Sequence, residues 1–202
     1  AGVNDTPFNP LGESADTFSE LAHKTFPVLD DAAGEAMQEK ILAAKQSCDS
    51  VGGVIECMAI NLPSGIGAPF FDSLESRLAH ALFSVPAVKG IEFGKGFALT
   101  QMPGSEANDQ MYYDSGVVKT YTNNNGGITG GITNGMPVLF KVAVKPTPSI
   151  AKVQKTVDLS TESNTELVIT GRHDPCIVQR AVPVIEGVVA WVILDMLLAG
   201  EK

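Results

Sequence analysis

Apolar residues alternate most regularly between Val138 and Val144. Val138, Phe140, Val142 and Val144 share one side, Lys141 takes the other, and Lys145 follows in phase just beyond. A period of two puts successive side chains on opposite faces, so the run predicts a strand with one buried face. Residues 51–62 read as a second strand, apolar on both faces, and 87–93, 96–101 and 166–170 as shorter ones. The spacing changes to helical over 31–47, where Met37, Ile41 and Ala44 share a face, and again at Leu74, Leu78 and Leu82. Asp72 with Glu75 three residues on predicts a capping-box start for that second helix. His80 falls about 200° from Leu78 at ~100° per residue, which places it toward solvent or an interface.

Between these elements the signals are those of turns. Residues 1–29 carry Pro7, Pro10 and Pro27 among scattered acids with little periodicity, and read as an acidic linker or arm. Ser64 to Pro69 is a glycine- and proline-rich loop, and 103–125 a long polar excursion of the kind that is functional or mobile. The chain closes in an apolar helix over about 177–199. The pattern predicts an α+β fold, antiparallel strands covered by helices, with the main body at 30–202.

The closing helix is apolar enough to raise the question of a membrane. Glu186 and Asp195 lie about half a turn of the helical wheel apart, so no rotation hides both from lipid, and each acid near a bilayer centre costs roughly 2.5–3.5 kcal/mol. We therefore expect this helix in a protein core or subunit interface and no membrane partner. The 202 residues are 44% hydrophobic and carry a net charge of −9, which argues against nucleic-acid binding. The charge is uneven: residues 141–180 hold six basic residues against four acids, a zone suited to a small anionic ligand or simply a solvated face. The three cysteines and three histidines have no metal-ligand or disulfide spacing, so no metal site is expected. The start is not Met and has no signal-peptide pattern, from which we expect a soluble cytoplasmic protein.

Three segments have the composition to carry chemistry. The first is Asn123 to Gly135, with five glycines between 126 and 135; such backbone lets a ligand approach and exposes N–H groups, or is a flexible loop. The second is Lys145-Pro146-Thr147-Pro148-Ser149, where prolines stiffen a turn presenting an ammonium suited to phosphate, the alternative being a plain proline-rich turn. The third is Arg172-His173-Asp174-Pro175-Cys176. An Arg two residues from an Asp offers a fork beside a carboxylate, or a structural Arg–Asp pair capping the next helix. Proton work by Asp174 depends on its placement beside a titrating atom.

Together these segments resemble chorismate synthase. The resemblance includes Asp49 to Glu56, Gly67 to Asp72, Ala79 to Leu82, Val88 to Gly94, the glycine-rich run, Lys145-Pro146-Thr147, and above all Arg172 to Glu186. Order and spacing match from about residue 28 to the end. The resemblance implies an α+β sandwich, a homotetramer, and 1,4-anti elimination of phosphate from 5-enolpyruvylshikimate 3-phosphate to give chorismate. It also implies reduced FMN as cofactor, though no net redox change occurs, and an association with NADP. Carried onto this sequence, Arg172 would help hold substrate and flavin and Asp174 would handle the proton near the flavin. Lys145, Pro146, Thr147, Pro148 and Ser149 would contact FMN, Gly130 would let backbone approach it, and Pro86 and Ala87 would line the same site. His173 and Cys176 are given structural roles.

The sequence also departs from that family. The family's N-terminal half carries Gly-Glu-Ser-His-Gly and Ser-Ala-Arg motifs, and neither occurs here; Gly12-Glu13-Ser14 is followed by Ala15. We therefore expect the C-terminal half of the enzyme, inactive alone and self-associating. The alternatives are a noncatalytic structural or interaction module, or a flavin- or phosphate-binding protein without the elimination chemistry.

Overall fold

The computed structural model describes residues 2–200. The first finding is that the arm expected at 1–29 contains a helix, α1 (Ala15–His23). Ser14 supplies its cap, the hydroxyl accepting from the Thr17 N–H at 3.2 Å. The segment before it is anchored: Asp5 accepts from the N–H groups of Leu29 and Asp30, both at 2.8 Å, and Phe8 donates to Glu56 at 3.0 Å. The helix is short, with one polar cap and a small apolar contact in which the Phe18 and Phe8 rings lie 5.6 Å apart, too little to stand out as periodicity.

Helix α2 (Asp31–Gln46) follows, capped by Asp30 and buried only at Gly34 and Ala44. Strand β1 (Gly53–Ala59) leads to the loop over 64–69. Asp72 does not start the next helix. Phe70–Asp72 make a single 3-10 turn, and Ser73 is the cap of α3 (Leu74–Phe83), its hydroxyl accepting from the Ser76 N–H at 3.1 Å. The predicted stripe is otherwise as expected, because Leu74, Leu78 and Leu82 are fully buried while His80 is exposed. Burying each such leucine contributes roughly 1.5–3 kcal/mol.

Strand β2 (Val88–Phe93) ends at Gly94. The strand expected at 96–101 is instead 3-10 helix, since Gly94 and Gly96 adopt left-handed φ of 55° and 48° and curl the chain. The excursion at 103–125 is ordered as a short turn of helix, α4 (Gly104–Ala107), and a hairpin of β3 (Met111–Asp114) with β4 (Val117–Thr120). A second small hairpin pairs β5 (Ile128–Thr129) with β6 (Ile132–Thr133). Then come β7 (Val138–Val144), β8 (Gln154–Asp158), β9 (Ser163–Leu167) and α5 (Val178–Gly200). The strand expected at 166–170 is thus shifted toward the N-terminus and paired with β8, which periodicity did not reveal. No residue of this hairpin is buried, so nothing selects alternation.

Strand β7 is the centre of a three-stranded antiparallel sheet ordered β1-β7-β2. Its Val138, Phe140, Val142 and Val144 join Leu74, Leu78, Leu82 and the Ile185, Val189, Val192 and Ile193 of α5 in one buried cluster. Helices α3 and α5 therefore cover the same sheet face. On the opposite face Glu56, Lys141 and Glu92 stand in register across the strands, with Lys141 Nζ 3.9 Å from Glu92. This is the expected α+β class, with antiparallel sheet and helices.

Candidate functional site

At the C-terminal end of β7 three segments meet. The Lys145 N–H donates to the Ala87 carbonyl at 2.9 Å, the Ser50 hydroxyl donates to the Thr147 carbonyl at 2.6 Å, and the Val51 N–H donates to the Pro175 carbonyl at 2.8 Å. Gly52 makes this approach possible, because a Cβ there would lie 2.3 Å from the Val144 carbonyl oxygen and 2.9 Å from the Pro146 nitrogen. A cavity of about 160 Å³ opens at the junction, lined by Lys45, Asp49, Ser50, Ser149, His173 and Asp174 among others. So Pro86–Ala87, Lys145–Ser149 and the Arg172–Cys176 segment are neighbours.

Several groups at this corner have no partner. The side chains of Lys145 and Arg172 are exposed and make no hydrogen bond or ion pair with any described residue. The Thr147 hydroxyl oxygen is buried without a hydrogen-bond partner, as is the Gln179 side-chain oxygen in the first turn of α5. A buried polar atom left unpaired costs about 1–3 kcal/mol. Ala87 adds strain, holding a left-handed φ of 73° that costs a non-glycine residue roughly 1–2 kcal/mol. An exposed ammonium and an exposed guanidinium, flanking an irregular segment that holds Pro146 and Pro148, leave this corner with unpaired positive charge.

The other predicted residues fall differently. Asp174 pairs with Arg180, at 2.7 Å, rather than with Arg172, and accepts from the Cys176 N–H at 3.2 Å. The Arg–Asp pair at the start of α5 is thus built from Arg180, leaving Arg172 to project alone. A guanidinium six residues on, close to one and two-thirds helical turns, had no local signal marking it as the partner. His173 Nε2 lies 2.9 Å from the Ile169 carbonyl oxygen, and Cys176 is buried, which raises its thiol pKa. Cys57, on β1, is pushed up to about 12 by burial, with the Glu186 charge adding to it. Both thiols stay protonated at neutral pH. Asp49, beside the cavity, is held below the usual carboxylate range by its hydrogen bonds from Lys152 and the Ser50 N–H.

Gly130 is not at this corner. It occupies the tip of the β5–β6 hairpin at φ +63°, beside Gly131, whose carbonyl accepts from the Leu74 N–H at 2.9 Å. That contact is at the first turn of α3, whereas Ala87 lies beyond its last, and ten helical residues span about 15 Å. A Cβ at Gly130 would meet nothing within 4 Å, so only the turn conformation demands glycine within the chain.

Sequence reasoning missed the group that organises the glycine-rich run. Asp109 accepts from the Thr122 hydroxyl and Asn124 N–H at 2.7 Å each, and from the Asn125 N–H and side-chain amide at 2.9 and 2.8 Å. Partial burial opposes its ionisation, but these four hydrogen bonds prevail and hold its pKa below the usual range. One acid in a polar stretch carries no pattern from which this role could be read.

The comparisons with known proteins agree on one family. A family model described as chorismate synthase matches residues 8–198. Chorismate synthase of Thermococcus gammatolerans is 53% identical over 169 residues, 84% of this chain and 48% of that protein. That of Methanocaldococcus jannaschii is 52% identical over 165 residues, 81% of this chain and 44% of that protein. Among solved structures, a crystal structure of chorismate synthase matches with a TM-score of 0.73 and 29% identity, covering 91% of this chain and 48% of the other. The chain spans about half the length of the curated relatives it matches.

Proposed function

The chain belongs to the chorismate synthase family, and on that premise we propose that it supplies one wall of the site that converts 5-enolpyruvylshikimate 3-phosphate to chorismate. The observation that carries this reading is the β7 corner, where Lys145 and Arg172 present unpartnered charge beside a strained Ala87 and a buried, unmatched Thr147 hydroxyl. Lys145 to Ser149 would hold the phosphate and ribityl chain of FMN, with Pro86 and Ala87 lining the same pocket. Arg172 would anchor the anionic substrate against the flavin. Asp174, fixed by Arg180 and the Cys176 N–H, would keep a carboxylate oriented for proton handling near the flavin ring. Reduced FMN, when bound, supplies electron density transiently to the elimination. Gly130, at the other end of α3, would contribute only to a ligand or subunit reaching that hairpin.

Because the chain spans about half the length of its relatives, it is expected to be inactive alone and to bind FMN weakly. As a biosynthetic protein of this family it would act in the cytoplasm, within a homotetramer in its full-length form.

The test is to incubate the purified chain with reduced FMN and substrate, with and without the N-terminal half of the Thermococcus gammatolerans protein. Chorismate is expected only in the mixture, and Lys145→Ala or Arg172→Ala should abolish it. Turnover by the chain alone overturns the half-site reading.

A further inference from the structure

Residues 145–153, between β7 and β8, have no regular structure and few means of holding themselves in place. Pro146 and Pro148 lack an N–H, and among the described residues no hydrogen bond closes within 146–153. The prolines restrict the local backbone, but they cannot set where the segment stands relative to the sheet. Its anchors come from other elements. At its base the Lys145 N–H donates to the Ala87 carbonyl, and near its far end Lys152 Nζ lies 2.5 Å from an Asp49 oxygen. In the middle, between the two prolines, the Thr147 carbonyl accepts from the Ser50 hydroxyl at 2.6 Å, a contact across 97 positions of sequence.

The backbone around Ser50 is itself fixed from both sides. The Asp49 N–H donates to the Ala44 carbonyl near the end of α2, and the Val51 N–H to the Pro175 carbonyl, both at 2.8 Å. The Ser50 N–H donates to the Asp49 carboxylate, also at 2.8 Å. Two adjacent residues therefore reach the two charged segments of the corner, Ser50 the one that follows β7 and Val51 the one that carries Arg172. We propose that Ser50 is a positioning residue for the flavin site, setting through the Thr147 carbonyl where the Lys145 ammonium and the Thr147 hydroxyl stand relative to Arg172. This role rests on the reading of Lys145 to Ser149 as the segment that holds FMN. The fold has little stake in the bond, because Ser50 lines the open cavity, where water can replace the hydroxyl on the released carbonyl. A binding site is less tolerant: a displacement of about 1 Å costs on the order of 10²-fold. The Asp49–Lys152 pair is the weaker anchor, since its side chains are 41% and 45% exposed.

The test uses the chain itself, labelled with nitrogen-15, and oxidised FMN as the probe. In the parent the Thr147 and Ser149 amides are expected to have order parameters near ~0.85, and the Lys145 and Thr147 signals should move as FMN is added. Ser50→Ala should lower those order parameters below about 0.6 and weaken FMN about tenfold, with the urea midpoint nearly unchanged. Ser50→Thr keeps the hydroxyl and should restore both. In the Lys145→Ala background, Ser50→Ala should weaken FMN by less than about twofold further, because the two act through one segment. Lys152→Met, which removes only the exposed pair, should also cost less than about twofold. Unchanged order parameters in Ser50→Ala overturn the proposal, as does full additivity with Lys145→Ala or a Lys152→Met loss as large as that of Ser50→Ala. A urea midpoint that collapses in Ser50→Ala makes the residue structural and overturns it equally. Failure of the half-site reading has a different signature and takes this role with it: FMN then moves no signal from Lys145 to Ser149 in the parent, with or without the N-terminal half of the Thermococcus gammatolerans protein.

Discussion

The glycine-rich run and the β7 corner were matched as candidates by composition, and the structure makes them opposites. In the run almost every polar group is used internally. Asp109 gathers four hydrogen bonds, Asn123 accepts from Gly127 and donates to the carbonyls of Pro10 and Pro137, and Asn124 donates to those of Glu106 and Ala107. At the corner, Lys145, Arg172, Thr147 and Gln179 hold donors and acceptors that nothing in the described chain meets. A network with its groups satisfied builds structure, whereas a cluster with surplus capacity is available to bind.

That contrast breaks most sharply under substitution in the run. Gly126→Ala should destabilise the fold by about 3 kcal/mol or more, since its φ is +64° and the new Cβ would stand 2.4 Å from the Leu139 carbonyl oxygen. Urea denaturation measures it. An effect under 1 kcal/mol would mean the run is looser than its packing indicates.

Asp109→Ala comes next, with an expected loss of about 2–3 kcal/mol from orphaning buried amide donors. The same group sets a pH signature. Its folded pKa is depressed, so its contribution is present above the ordinary carboxylate range and fades as pH falls through the folded value. Asp109→Asn should flatten that part of the stability–pH curve relative to the parent.

Gly130→Ala sharpens the comparison within the run itself. With open space around it, only its left-handed conformation is penalised, so about 1 kcal/mol is expected against the larger loss at Gly126. Smallest of all on stability are Lys145→Ala and Arg172→Ala, each within about 0.5 kcal/mol because neither side chain is buried or paired. Flavin affinity in the reconstituted enzyme should fall for both while the denaturation midpoint stays put.

Much of the fold was legible because burial leaves a period. Val138, Phe140, Val142 and Val144, like Leu74, Leu78 and Leu82, face the core as their spacing required. What spacing missed has a common cause. The cap at Ser73, the helix after Ser14, the hairpin of β8 with β9 and the hub at Asp109 are set by hydrogen bonds or solvated pairing, which impose no apolar repeat.

The sequence by itself determined which family this chain joins, which faces are apolar, and which residues carry charge near a phosphate-suited turn, because each is a property of residue type and local order. Only tertiary structure decided which of those residues meet. It gave Asp174 to Arg180 and left Arg172 unpaired, joined Ala87 to Lys145 across β7, and set Gly130 a helix length away. Partner choice across tens of residues depends on strand register and helix placement, and these are fixed by burying the whole core at once rather than by any one segment.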